Sequence, residues 1–474
     1  RHDKTMPVLT TPGKSLVETI FDLGHSKFHT RRTMVNNIDI EAIAGKQGML
    51  ARAYTDPEVF KLEMERIFQR VWIFVGHESQ VPKPGNFRRT SIGTNEVLLV
   101  RQKDYSLKIL FNNCAHRGTR LCAAAEGNRT SFVCPYHAWT FDLDGTLKGV
   151  PDVESYPTSF DINDPSLHLK SAPRLQDYRG FIFASLSELG PNLIDYLGKM
   201  TDAIDNLVDR APDGIILVDG GHFRVRYSGN WKLHHENAND TVHPGFVHES
   251  SVTAARQSQK GKRGKAKPID DGQTRGMMAS NGLSPKDWNI IELNGMSNGH
   301  SFMGGFYKSG LLAPQQDDDV TRTYRTALEK AHGKKRTDAI LGMDRFNNLI
   351  WPNLNVNSQF HQIRVVHPIS VNETVVEGYC FRLKGAPEEI FYRSIRFLGT
   401  LVSPASMIFS DDLEIFERIQ HGLENGKLER LDHRRGMATD KPLNGTGNFH
   451  STTSSELPLR SQTAAWKYWM SAGQ

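Results

Sequence analysis

Two residue pairs constrain this chain more than anything else in it. They are Cys114-x-His116 and Cys134-x-x-His137, with seventeen residues between His116 and Cys134. Each pair joins one thiolate to one imidazole. Such a set can hold a single zinc tetrahedrally, or a [2Fe–2S] cluster in which two Cys take one iron and two His the other. The arrangement favours the cluster. A zinc finger groups its cysteines in one half and its histidines in the other, whereas each half here supplies one of each. The strand-like run 107–111 leads into the first pair and 131–133 into the second, so each pair sits where a β-hairpin tip is expected.

Short β-type runs separated by turn residues extend from about 71 to 187, with Pro84-Gly85 and Asp144-Gly145 among the turn signals. Upstream, Thr55-Asp56-Pro57-Glu58 is a helix start, and residues before 50 are weakly patterned and expected on the surface. Downstream, Leu193, Leu197, Met200, Ile204 and Leu207 predict a helix of about five turns ending before Pro212. Strands are expected at 221–226, 362–366 and 374–381, and a last helix holds Trp466, Trp469 and Met470. The expected fold is α+β in three parts. Residues 1–70 form a helical and extended segment, 71–187 a small antiparallel β domain bearing the cluster, and 188–474 a larger catalytic domain with helices packed on an antiparallel sheet.

Composition narrows the partners. The net charge of +5 resides in Arg256–Pro268, which carries six cations and no acid, leaving about −1 elsewhere. That run has no aromatic residue to stack a base, so a nucleic-acid partner is not expected. No apolar run approaches the roughly 18 residues of a membrane span, so no membrane association is expected either. Of four cysteines, two belong to the pairs; Cys122 and Cys380 are expected as buried small hydrophobes. Sparse cysteine beside a metal-type set points to a reducing cytoplasm.

A second metal centre is suggested by Asn230-Trp-Lys232 followed by Glu236-Asn237-x-x-Asp240-x-x-His243-x-x-x-x-His248. Five helical steps leave two side chains about 140° apart, but Pro244-Gly245 interrupts the ladder, and a distorted helix would turn both rings to one point. Two His and one carboxylate form the facial triad of non-heme Fe(II) oxygenases. The carboxylate is open at this stage: Glu236 and Asp240 are local, and Asp411-Asp412 is the conspicuous distant cluster.

Together these residues resemble the large (α) subunit of Rieske-type aromatic ring-hydroxylating dioxygenases. The resemblance runs from Trp72 to Trp469 and includes the two Cys/His loops, Asn230-Trp-Lys232, the Asp240/His243/His248 block, Asp411-Asp412 and a C-terminal Glu456…Arg460…Trp469 pattern. It implies a Rieske [2Fe–2S] cluster on Cys114, His116, Cys134 and His137, and mononuclear Fe(II) on His243, His248 and Asp412. It implies that Asp240 is a bridge between an iron-ligand His and a Rieske histidine of a neighbouring subunit, with Asn237 at the pocket wall. It also implies an α-subunit trimer with small β subunits (α3β3), and electrons from NAD(P)H through a separate reductase or ferredoxin. The implied substrates are O2 and an aromatic acid or fused-ring aromatic, cis-dihydroxylated. The rivals are monooxygenation (ring hydroxylation or oxidative demethylation) on the same scaffold, a pure electron carrier, and a zinc-stapled binding module. Ala138 departs from the family's usual Gly, and the basic 256–268 segment falls where the family has variable loops at the pocket entrance. Ile408 and Val242, flanking the ligands, are candidates for the pocket wall and equally for plain core.

Overall fold

The computed structural model describes residues 38–260, 278, 281–284, 288–306, 317–443, 447–452 and 454–471. Most of the basic 256–268 segment therefore lies outside the described residues.

The β texture read from 71 to 187 becomes three small antiparallel sheets. One has the order Leu107–Phe111, Asn95–Arg101, Asn86–Ile92, Glu126–Asn128; a second joins Leu147–Gly149, Thr140–Phe141 and Phe132–Val133. The Asp144-Gly145 signal forms the expected tight turn, with Gly145 at φ +94° donating its N–H to Asp142 O. These two sheets enclose their own apolar core, in which Phe87, Leu98, Phe132, Trp139 and Phe141 pack with Cys114 and Cys134.

The third sheet, Arg174–Tyr178, Phe181–Ser185 and Ile73–His77, faces the other way. Phe181–Ser185 and Ile73–His77 are buried at every position. They merge with a continuous core that reaches from Ile40 to Met470. Asn353 pins this seam by accepting from Phe74 N (3.1 Å) and donating to Phe74 O (3.0 Å), so packing does not part at residue 187.

The larger region is a nine-stranded antiparallel sheet. Its order is His222–Tyr227, Glu373–Cys380, Gln362–Ser370, Leu354–Asn357, Phe346–Ile350, Ser301–Gly304, Glu292–Met296, Asn448–Thr452, Lys441–Leu443. Three helices matter for the site: Lys232–Ala238, Phe409–Glu424 and Leu457–Ser471. The sequence helix after 193 is interrupted; it runs Leu193–Leu197, then a 3₁₀ turn at Gly198–Met200, then Thr201–Asp209. Gly198 takes φ +49°, which only glycine adopts freely. Residues 38–50 are not a surface wrap: Gly48–Leu50 pairs with Arg430–Asp432, and Ile40, Ile43 and Met49 are buried.

The Asn-Trp-Lys motif closes this architecture. Glu63, from the helix start at Pro57, is fully buried and accepts from three donors. These are Trp231 Nε1 at 2.8 Å, Lys232 Nζ at 2.6 Å and Trp466 Nε1 at 2.6 Å. A buried carboxylate is tolerated only when charge-paired and hydrogen-bonded, and here both conditions are met. Cys122 and Cys380 are buried free thiols.

Candidate metal centres and the cavity between the sheet and its helices

The two Cys/His loops are built alike. Cys114 N donates to Thr119 O and Gly118 N to Cys114 O; Cys134 N donates to Trp139 O and Ala138 N to Cys134 O, all at 2.8–2.9 Å. Each loop thus curls back on its cysteine and needs a left-handed residue four positions on. Gly118 (φ +71°) and Ala138 (φ +56°) fill that position, so the departure at Ala138 is a strained backbone rather than a packing difference. The thiols are buried and adjacent, while the His116 ring is exposed and the His137 ring half-exposed, 4.9 Å apart. His116 stacks on Trp139 at 4.7 Å and His137 on Tyr136 at 3.7 Å. His137 Nδ1 is buried with no hydrogen-bond partner, which fits a nitrogen turned toward a cluster iron.

In the second centre the chain leaves the helix at Ala238, and Asn239 breaks it. Pro244 opens a new four-residue helix at its first position, where proline's missing N–H does no harm. His243 precedes this helix and His248 caps its end. The two rings face one point by lying at either end of a short separate helix, not by distortion of a continuous one. Asp412, in the first turn of Phe409–Glu424, completes the set. Its Oδ1 is 3.5 Å from His243 Nε2 and 3.3 Å from His248 Nε2, and the three donor atoms lie within 4.8 Å of one another. Donors at right angles on bonds of about 2.1 Å would be ~3 Å apart, so little movement is needed to close on a metal ion.

The electrostatics suit a cation. Burial opposes charge on His243, but Asp240 and Asp412 outweigh it and raise the ring to about 9. Burial likewise opposes charge on Asp412, yet the two imidazoles hold its carboxyl well below the usual carboxylate range.

By sequence, residues 71–169 match the Rieske [2Fe–2S] domain and 216–471 the ring-hydroxylating α-subunit catalytic domain. The chain belongs to the α subunits of Rieske non-heme iron ring-hydroxylating dioxygenases. It is 34% identical over 383 residues to the toluate 1,2-dioxygenase α subunit of Pseudomonas putida, covering 80% of this chain and 79% of that one. It is 31% identical to the 2-halobenzoate 1,2-dioxygenase large subunit of Burkholderia cepacia, covering 86% and 83%. A solved naphthalene 1,2-dioxygenase with indole in its active site superposes with a TM-score of 0.73 at 25% identity, covering 92% of this chain and 94% of that one.

Within this α subunit the carboxylates named from sequence separate. Glu236 turns away from the centre and accepts from Tyr54 Oη at 2.7 Å. Asp411 lies 3.3 Å from His248 Nδ1, behind the ring rather than in the metal-facing set. A carboxylate there fixes the tautomer and orientation of an imidazole; a helix start with adjacent acids was the available signal, but sequence could not say which faced inward. Asp240 is outside the set of three. Its proximity to His243 comes from a turn: Oδ1 accepts from Val242 N at 2.6 Å and His243 N at 3.0 Å, and is 3.6 Å from His243 Nδ1. Its other oxygen accepts from Arg435 Nη2 at 2.7 Å, a partner the sequence did not reveal.

The C-terminal Glu456 and Arg460 buttress that contact. Glu456 accepts from Arg435 N at 3.1 Å, and Arg460 Nη1 donates to Arg435 O at 3.1 Å. Asn237 Nδ2 donates to Asp412 Oδ1 at 3.0 Å and lies 3.1 Å from His243 Nε2. The three metal-facing residues open onto a cavity of about 140 Å³ with apolar walls including Met303, Phe346, Phe360 and Ile408. Of the two candidates flanking the ligands, Ile408 lines the wall, and Val242 is not among the described residues that do.

No helix among the described residues is long and apolar enough to cross a membrane.

Proposed function

We propose that this α subunit cis-dihydroxylates an aromatic acid, using O2 and electrons delivered by a separate reductase or ferredoxin from NAD(P)H. In this reading Cys114, His116, Cys134 and His137 hold the [2Fe–2S] cluster, and His243, His248 and Asp412 hold mononuclear Fe(II). The iron supplies O2 activation; the ring gains both oxygen atoms while two electrons and two protons are consumed. The protein's own residues do the rest. Asp411 orients His248, Asn237 holds Asp412 at one oxygen, and the apolar walls keep water from the ring. The observation that carries the reading is the junction of a two-His, one-carboxylate set with an apolar cavity, in a chain that also bears the Cys/His loops.

Asp240 is the bridge in this scheme. One carboxylate between two metal-bound imidazoles gives a short coupled path for an electron. The exposed His116 and partly exposed His137 suit a contact across a subunit boundary, hence an α trimer; the relatives' names, 'subunit alpha' and 'large subunit', support accompanying small β subunits. In this scheme the N-terminal 1–70, cluster-bearing 71–187 and catalytic 188–474 division is one of function, while the packing crosses it at the Phe74–Asn353 seam.

The test is product analysis under labelled O2 with benzoates and neutral aromatics. Two labelled atoms per product are expected. One labelled atom would move the assignment to monooxygenation, and two irons per chain instead of three would favour an electron carrier.

A further inference from the structure

We infer that Arg364 is the substrate-carboxylate anchor of the iron cavity, and that the ligand it selects is a single-ring aromatic carboxylate. The inference rests on the oxygenase reading above and specifies its substrate class.

Arg364 sits on the strand Gln362–Ser370, opposite Asn355 on one side and Gly378 on the other. It is the only Lys or Arg among the described residues that line the cavity shared with His243, His248 and Asp412. Burial pulls its pKa down to about 10, partly offset by Asp412, so it remains a cation at neutral pH. Asp412 acts on it only at longer range, and that carboxylate is already engaged with His243, His248 and Asn237. The guanidinium has five N–H donors, and its one hydrogen bond goes to a neutral acceptor, Asn347 Oδ1, at 2.9 Å. No carboxylate among the described residues comes within 4.0 Å of it. A buried cation without a directly paired counter-ion is expensive, and a divalent metal ion on the neighbouring triad would add repulsion. An anion arriving with the substrate relieves both costs, and a guanidinium fork matches a carboxylate bidentately.

The cation is held ready for this. Asn347 takes φ +43°, a conformation uncommon outside glycine. Both ends of its side chain are fixed, Nδ2 donating to Ala238 O at 2.5 Å and Oδ1 accepting from Asn357 Nδ2 at 2.8 Å. The carbonyl that orients Arg364 is therefore itself tied to the helix leading into the iron centre. Size sets the other half of the specificity: a cavity of about 140 Å³ is close to the ~150 Å³ that accommodates benzene in an apolar protein interior. One ring fits, with its carboxylate at Arg364 and its body against Phe346, Phe360 and Ile408.

The experiment uses the iron-loaded, cluster-bearing oxygenase and two probes of nearly equal shape, benzoate and benzamide, with binding read by calorimetry and turnover followed in parallel. Wild type should bind benzoate at least about 10-fold more tightly than benzamide. Arg364→Gln should weaken benzoate by about 10- to 100-fold and leave benzamide within about 3-fold, with iron content and cluster spectrum unchanged; Arg364→Lys should recover part of the benzoate affinity. Equal weakening of both probes, or no loss of benzoate, in a variant that keeps its iron overturns the anchor. Should Arg364→Gln lose its metal, the wild-type preference decides, and no preference for the anion overturns the proposal. If wild type dihydroxylates neutral rings but rejects benzoate, the anchor fails and the oxygenase reading stands. If benzoate binds with the charge preference but yields no oxygenated product, the anchor stands and the oxygenase reading fails.

Discussion

The two Cys/His loops and the His/His/Asp centre are both metal-type sites, yet they are built in opposite ways. Each loop carries its two candidate ligands within four residues, closes on itself through the same pair of backbone hydrogen bonds, and leaves its histidine rings at least partly open to solvent. The second centre takes its parts from a helix break and from a distant helix start, and buries His248 and Asp412. A site of the first kind depends on local backbone conformation. One of the second depends on how helix, sheet and termini pack, so its donors are sensitive to residues that touch no metal.

Replacing Asp412 tests that contrast most severely. Asp412→Ala removes the only carboxylate in the set of three, and turnover should fall below detection while the cluster's visible spectrum survives; iron analysis of the purified variant checks it, and retained mononuclear iron would shift suspicion to Asp411. The next effect concerns the link between the regions. Asp240→Asn should keep both metal centres and lose about 100-fold or more in turnover, and full activity would refute the bridge. Arg435, held on Asp240 by the C-terminal Glu456, should share a smaller version of that phenotype. Asp411→Asn should act on one side of the comparison only, lowering iron affinity by about 10- to 100-fold in a metal-chelation titration without touching the cluster.

The smallest effects lie in the loops. At Gly118 an added Cβ meets nothing within 4 Å, so Gly118→Ala sets backbone strain against the lost freedom of glycine in the unfolded chain, with no clash, and should destabilise by about 0.5 kcal/mol. Ala138→Gly removes the same strain from the matching position and should stabilise by about 0.5 kcal/mol, after the greater freedom of glycine in the unfolded chain is counted. Thermal unfolding of the two variants should move in opposite directions; movement in the same direction would mean the loops are not equivalent.

This division also explains what could be read from the chain. The cluster loops were legible because ligand spacing and turn chemistry are local, and the expected strands 221–226, 362–366 and 374–381 started within one residue of the observed ones because apolar runs are local too, although the second continues to Ser370. His243 and His248 could be named from their spacing around Pro244-Gly245, but not the manner in which they converge. Choosing Asp412 over Asp411, Asp240 and Glu236 required the resemblance, because adjacent acids at a helix start look alike until the helix is docked. Arg364 was hidden for the same reason. One arginine among 58 basic residues becomes conspicuous only when the sheet places it, without a carboxylate partner, on the wall of the cavity.

The Glu63 cluster has a bearing on the order in which the protein can mature. Trp231 and Lys232, which hold that carboxylate, are the N-cap and first residue of the helix that carries Asn237 into the second centre, and Trp466 reaches it from more than 200 residues downstream. A nascent chain emerging from the ribosome can close the cluster-bearing sheets long before Trp466 is synthesised. Its buried acid then lacks one donor until Trp466 is made. The core around the cluster loops draws only on residues up to Leu169, whereas the packing behind the second centre draws on a side chain as late as Trp466.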